Sequence, residues 1–129
     1  EPSPQRMATL RYLARALRMQ GRGREALEAI APAAQWLASA APFSANDRAR
    51  TEAERALAWL AQGEVEPAKA RLAAARAAYG DDTPGAADAA QLTLIEARIE
   101  RAAGNAERAN ALAADGLAAL IAARGERHP

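Results

Sequence analysis

Three glycines at near-equal spacing constrain the fold of this chain more than any other feature. Gly21, Gly63 and Gly104 are separated by 42 and 41 residues. An alanine lies seven residues before each glycine and another lies five residues after it, so the pattern A-x6-G-x4-A occurs three times. A period of this length is typical of proteins built from stacked copies of one supersecondary unit. We therefore predict three such units; their flanking alanines are Ala14 and Ala26, Ala56 and Ala68, and Ala97 and Ala109.

The residues on either side of each glycine favour helices. Before Gly21, for example, Leu10, Leu13, Ala14 and Leu17 follow the i, i+3, i+4, i+7 spacing of one helical face. Half of the residues are hydrophobic and only 4% are aromatic, and alanine and leucine are strong helix formers with little preference for strands. The sequence predicts an all-α fold of six helices, at roughly residues 4–20, 23–40, 46–62, 65–79, 84–103 and 106–124.

Prolines and glycines mark the predicted helix ends. Proline is favoured in the first turn of a helix, where its missing N–H is not needed, and serine and threonine are favoured just before it. Ser3 and Thr83, each followed by proline, are therefore predicted N-caps, and Pro67 falls in a first turn. Glycine is favoured just past a helix end, the position predicted for Gly21, Gly63, Gly80, Gly104 and Gly125.

Composition limits the classes of function. A length of 129 residues suits one domain, predicted over 1–129. The net charge of +1 gives no global attraction to nucleic acid or to an anionic membrane, so neither is an expected partner. No cysteine is present, and no apolar run approaches the roughly 20 residues that cross a bilayer. A chain that begins at Glu1 without a signal-peptide pattern is expected to be a cytoplasmic fragment of a longer protein.

Catalytic residues are few. The single histidine, His128, is next to the last residue, which leaves no well-placed general base and no histidine metal site. Asp81 and Asp82 are adjacent in a predicted turn and do not face each other as an acid–base pair would. The Gly21–Gly23 segment lacks the preceding strand and the lysine-serine or lysine-threonine pair of a phosphate loop. We therefore expect no enzymatic activity, no metal and no cofactor.

The recurring pattern resembles the tetratricopeptide repeat. In that family a small residue of the first helix, a turn glycine and a small residue of the second helix occur in this order. The longer period, with the linkers YGDDTP at 79–84 and RGERHP at 124–129, is similar to the kinesin-light-chain-like variety also found in bacterial signalling proteins. The resemblance implies six antiparallel helices in three helix-turn-helix repeats, at 4–40, 46–79 and 84–124, stacked in a right-handed superhelix. It also implies a concave surface, lined by the first helix of each pair, that acts as a scaffold or adapter for a protein partner.

Arginines mark a candidate binding groove on that surface. Arg11, Arg15 and Arg18 have i, i+4, i+7 spacing and form a basic stripe on the first helix. Such a groove is basic at both ends and apolar in the middle, which suits a peptide with acidic residues, because arginine binds carboxylates bidentately and a leucine pair can receive an apolar anchor. The other predicted groove residues are Arg50, Leu57 and Leu60 on the third helix, and Gln91, Leu94, Arg98 and Arg101 on the fifth.

Other interpretations stay open from the sequence. The arginines could instead form a solvated helix face, paired with acids such as Glu54 and Glu100. Trp36 and Trp59 fit either partner anchors or the core, and Phe43 fits either a packed junction or an exposed patch. The alternative function is a structural one, in which the repeats self-associate into a homo-oligomer or act as a spacer in a larger signalling protein.

Overall fold

The computed structural model describes residues 2–39 and 43–125. In these ranges it contains six α-helices and no strand, which confirms the all-helical prediction. The predicted ends lie within three residues of the observed ones. The helices are α1 (Pro4–Met19), α2 (Gly23–Leu37), α3 (Ala45–Ala61), α4 (Val65–Ala77), α5 (Ala86–Ala102) and α6 (Ala106–Gly125).

The helices fall into two compact units. The first, Glu1–Gly80, contains α1 to α4, and the second, Asp81–Pro129, contains α5 and α6. In the first unit α1 packs against α2 and α3, α2 also packs against α3, and α3 packs against α4. In the second unit α5 packs against α6. The single domain over 1–129 and the right-handed superhelix stay predictions.

The three recurring glycines end α1, α3 and α5 in the same way. Gly21, Gly63 and Gly104 have φ values of 78°, 75° and 91°, a left-handed conformation that glycine adopts without steric penalty. Each glycine N–H donates to the carbonyl three residues back, and the N–H of the next residue donates to the carbonyl five residues back. These two bonds form the Schellman motif. The role predicted for these glycines is confirmed, and the later bonds are Arg22 to Leu17, Glu64 to Trp59 and Asn105 to Glu100.

Other helix ends agree with the predictions only in part. The Ser3 hydroxyl accepts the Arg6 N–H at 3.0 Å and caps α1. The N-cap predicted at Thr83 is wrong, because α5 begins at Ala86, after Gly85; proline and glycine have the lowest helix propensities, so the helix starts beyond both. Gly125, predicted to lie just past the end of α6, is instead the last residue of that helix.

Small residues fill the contact between the paired helices. Counted from each turn glycine, the positions 14 and 7 residues before it and 5 and 12 residues after it are buried in all three pairs. At Gly116 a Cβ would lie 2.9 Å from Cδ2 of Leu94, so a larger residue would require the Leu94 side chain to move. Eleven of the twelve are alanine or glycine, and small residues at these positions let the helices approach closely. The exception is Met7; the others are Ala14, Ala26, Ala33, Ala49, Ala56, Ala68, Ala75, Ala90, Ala97, Ala109 and Gly116.

The large apolar side chains near the paired helices differ in how far they are buried. Trp36 and Phe43 are partly buried and pack against the cluster formed by α1, α2 and α3, so Phe43 is a packed junction residue. Trp59 is partly buried as well. The placement of Leu13 in the apolar face of α1 is wrong, because its side chain is 48% exposed. By helical spacing Leu13 lies at the edge of that face.

Candidate functional site

Two arginines of the predicted stripe connect α1 to α3. Nε of Arg18 donates to Oε2 of Glu54 at 2.7 Å, and Nη2 donates to Oε1 at 3.3 Å, so the pair is bidentate. Nη1 of Arg11 donates to Oγ1 of Thr51 at 3.4 Å and lies 3.7 Å from Oδ1 of Asp47. Asp47 and Glu54 each lie 36 residues after their arginine, so α1 and α3 run in the same direction.

These contacts are largely shielded from water. The side chains of Arg18 and Glu54 are 13% and 10% exposed, and that of Arg11 is 12% exposed. Burial lowers the pKa of Arg11, the charge of Asp47 raises it, and the neighbouring charge of Arg50 lowers it further. Arg11 and Arg18 therefore contribute to the α1–α3 contact. The alternative interpretation, in which the arginines of the first helix pair with acids such as Glu54, is confirmed for Arg18.

Arg15 has a different position. It is exposed, and Met19, four residues later on the same side of α1, is 70% exposed. On α3, Arg50 is exposed and Leu57, seven residues later on the same side, is partly buried. These residues lie on the exposed side of the contact between α1 and α3. Its opposite side belongs to the core, where Ala14 and Ala58 are fully buried. We call the exposed side the α1–α3 face and define it by Arg15, Met19, Arg50 and Leu57.

Leu60, the last predicted groove residue of the first unit, is partly buried on α3. The remaining four predicted residues lie on α5. Gln91 and Arg98 are exposed and seven residues apart, hence on one side of the helix. Arg101 is exposed, and its Nη2 donates to Oδ1 of Asn110 on α6 at 2.8 Å. Leu94 is partly buried and faces Gly116 of α6. A groove shared by α1, α3 and α5 stays a prediction.

Sequence reasoning missed some polar contacts between helices. Glu52 of α3 is 8% exposed and accepts hydrogen bonds from Arg55 and from Arg71 of α4. Arg108 of α6 donates to Glu96 of α5 at 2.9 Å and lies 3.8 Å from Glu100. A buried acid within a largely apolar helix face is the signal that could have found Glu52, since such acids are almost always paired.

Sequence reasoning also missed exposed apolar side chains on α1. Tyr12 and Met19 are 67% and 70% exposed. They are seven residues apart on the side of α1 away from Ala14, so their spacing marked a second apolar stripe. On α6, Leu117 and Ile121, four residues apart, are 54% and 63% exposed. These are candidate contact residues, because clustered exposed apolar side chains mark interaction surfaces.

Comparisons with known proteins leave the family open. No protein-family model, no curated protein and no solved structure matches the chain. Within the described ranges, no group of three or more histidine, cysteine, aspartate or glutamate side chains is placed to hold a metal ion. In the same part of the chain, no helix is both long and apolar enough to cross a membrane. The resemblance to tetratricopeptide repeats therefore stays a prediction from the residues.

Proposed function

We propose that this chain is a protein-interaction module of the tetratricopeptide-repeat type that binds an acidic peptide segment of a protein partner on the α1–α3 face. The observation that carries the proposal is the pairing of an exposed cation, Arg15, with a 70% exposed apolar side chain, Met19, one helical turn away. An arginine beside an apolar anchor is a common arrangement at the energetic centre of protein interfaces.

The charges of the α1–α3 face support an acidic partner. Arg15 and Arg50 are exposed on neighbouring helices, and the charge of Arg50 reaches the α1–α3 contact, where it lowers the pKa of Arg11. Asp47 and Glu54 of this contact face Arg11 and Arg18, and Arg15 adds an exposed positive charge beside them. An acidic peptide segment would meet that charge, which favours its encounter and its orientation.

Rigid presentation is the mechanism in this proposal. The Arg11–Asp47 and Arg18–Glu54 pairs fix α1 relative to α3, so Arg15 and Leu57 stay in place when a partner binds. A preorganised surface loses less conformational entropy on binding than a flexible one. In this account the module is a cytoplasmic scaffold or adapter attached to a bacterial signalling protein, an assignment that rests on analogy with the resembling family alone.

Capture from a lysate of the source organism tests the proposal. The immobilised protein is compared with an Arg15→Glu, Met19→Ala variant, and bound proteins are identified by mass spectrometry. We expect a partner with an acidic segment that the wild type retains and the variant loses. Arg24→Glu on α2 is the matched control, because Arg24 is an exposed helical arginine outside the α1–α3 face.

The outcomes separate binding at this face from other behaviour. Loss of the partner in both variants would mean that overall charge, not the α1–α3 face, attracts it. Retention by all three proteins would place the contact elsewhere on the molecule. Either result would refute the proposed site, and circular dichroism of each variant shows whether the fold is intact.

A further inference from the structure

The two methionines of the chain differ in their exposure to solvent. The sequence contains methionine at Met7 and Met19 and has no cysteine. Met7 is fully buried in the core cluster formed by α1, α2 and α3, whereas Met19 is 70% exposed. Methionine sulfur is a common target of oxidation. Of these two sulfur atoms, an oxidant in solution therefore reaches only that of Met19 while the protein is folded.

Met19 lies one helical turn after Arg15 on the α1–α3 face. The two residues are four positions apart on α1, a spacing at which helical side chains meet. Arg15 is exposed, and within the described ranges no hydrogen bond or ion pair engages its guanidinium. The thioether of Met19 is only a weak acceptor. The Arg15 donors are therefore available to a stronger acceptor that forms at Met19.

Oxidation by a peroxide converts the Met19 thioether into such an acceptor. A sulfur lone pair attacks one oxygen of the peroxide O–O bond, and this oxygen is transferred to the sulfur. Sulfur loses two electrons and the peroxide is reduced, so hydrogen peroxide leaves as one water molecule. The product, methionine sulfoxide, is polar and chiral, and reductases specific for each of its two epimers restore the thioether.

We propose that Met19 is a reversible oxidation site whose sulfoxide accepts a hydrogen bond from Arg15 and thereby weakens partner binding at the α1–α3 face. Oxidation removes the apolar anchor and engages the exposed cation in the same step. The new bond is charge-assisted, because its donor is a guanidinium. The effect on partner binding rests on the proposed function, whereas the oxidation of Met19 and its contact with Arg15 do not.

The positions of the two methionines confine the reaction to the binding surface. Since Met19 is 70% exposed, an oxygen on its sulfur stays in water and leaves no buried acceptor without a partner. An oxygen on Met7 would be buried in an apolar cluster, where an unsatisfied polar atom is costly. Oxidation of the folded protein therefore changes the α1–α3 face and leaves the core intact.

Peroxide treatment of the folded protein, followed by peptide mass mapping, tests which methionine reacts. We expect Met19 to gain one oxygen at least about tenfold faster than Met7, because Met7 reacts only when the protein opens. In urea the two methionines should react at similar rates, which is the control for their intrinsic reactivity. Equal rates in the folded protein would overturn the proposal.

Nitrogen-15 NMR of the arginine side-chain Nε–H groups tests the contact with Arg15. Oxidation of the wild type should shift the Arg15 signal and leave that of Arg24, an exposed arginine of α2, unchanged. Treatment with both sulfoxide reductases should reverse the shift, and Met19→Leu should show none. An Arg15 signal that does not respond to oxidation would refute the contact.

Acidic peptides selected on the reduced protein from a random phage-displayed library test the effect on binding. The peroxide is removed before the peptides are added, so only the protein is oxidised. The oxidised wild type should bind them about tenfold more weakly, a loss typical of an interface anchor. Met19→Leu should bind equally well before and after treatment. Met19→Gln, which carries a polar acceptor without oxidation, should bind as weakly as the oxidised wild type.

These measurements distinguish failure of the oxidation site from failure of the proposed function. If no acidic peptide binds the α1–α3 face, the proposed function is wrong, and the Arg15 signal still decides whether the Met19 sulfoxide engages Arg15. If peptides bind the reduced and the oxidised wild type equally well at this face, the proposed function stands and the oxidation site does not regulate it.

Discussion

Arg18 and Glu54 join α1 to α3 through two hydrogen bonds of 2.7 and 3.3 Å, with both side chains nearly buried. The bond holds the two helices at one relative position, because a shift of one turn would leave a buried carboxylate without its cation. A buried charge that loses its partner is strongly destabilising. The pair therefore specifies how the first and third helices align, and with them the α1–α3 face.

Removing either partner of this pair should destabilise the fold. Arg18→Ala and Glu54→Ala are each expected to lower the free energy of unfolding by about 3 kcal/mol, since each leaves an uncompensated charge in a mostly buried site. The double variant leaves no uncompensated charge and should lose no more than either single variant, which corresponds to a coupling of about 3 kcal/mol. Urea unfolding of the four proteins measures all of these values.

A surface pair on α2 provides the control for that cycle. Arg22 and Glu25 form an exposed pair three residues apart on the chain. The corresponding alanine cycle should show a smaller coupling, and added salt should weaken it further because the pair is exposed. Equal coupling in the two cycles would contradict the role given to Arg18 and Glu54.

The turn glycines should not tolerate a side chain. Gly21→Ala, Gly63→Ala and Gly104→Ala force alanine into a left-handed conformation, which costs about 1–2 kcal/mol at each position. Gly125→Ala is the control, because Gly125 ends a helix without a positive φ. Thermal unfolding should show a lower midpoint for the three turn variants and no loss for the control; an unchanged midpoint at all three turns would refute the left-handed assignment.

Buried alanines between paired helices should resist enlargement. Ala68 is fully buried and Ala70, on the same helix α4, is exposed. Ala68→Leu is expected to destabilise the protein by about 1–3 kcal/mol, because the extra methylenes overpack a close contact. Ala70→Leu should leave the unfolding free energy nearly unchanged. If both variants were equally stable, α3 and α4 would not be closely packed at Ala68.

Glu25 should titrate below the ordinary range of glutamate. The hydrogen bond from Arg22 lowers the pKa of this exposed carboxyl. A lowered pKa in the folded state means that the pair stabilises the fold above the ordinary glutamate pKa and ceases to do so as the pH falls through the lowered value. Carbon-detected NMR titration of Glu25 should show the low pKa, and Arg22→Ala should return it to the ordinary value.

The six helices could be predicted because their signals are local. The turn glycines, the small residues around them and the i, i+4 apolar spacing act within one helix pair, and Ser3 caps α1 through its own first turn. The start of α5 was misplaced, since Thr83 and Pro84 together mimic a helix start although Gly85 follows them. Where proline and glycine are adjacent, as at Pro84 and Gly85, the local sequence does not determine at which residue the helix begins.

The candidate site depended on contacts between helices that spacing does not reveal. Arg11, Arg15 and Arg18 look equivalent in the sequence, yet α3 lies against two of them and leaves Arg15 exposed. The distinction arises from Asp47 and Glu54, 36 residues further along the chain. Leu117 likewise has core spacing within α6, yet its side chain is 54% exposed.

Nitrogen-15 NMR of this protein with peptides from a random phage-displayed library tests the binding proposal most directly. The α1–α3 face predicts that selected peptides are rich in aspartate and glutamate. It also predicts that they shift the amide signals of Arg15, Met19, Arg50 and Leu57, and that Arg15→Glu abolishes the shifts. Peptides without acidic residues, or shifts confined to other helices, would contradict the account.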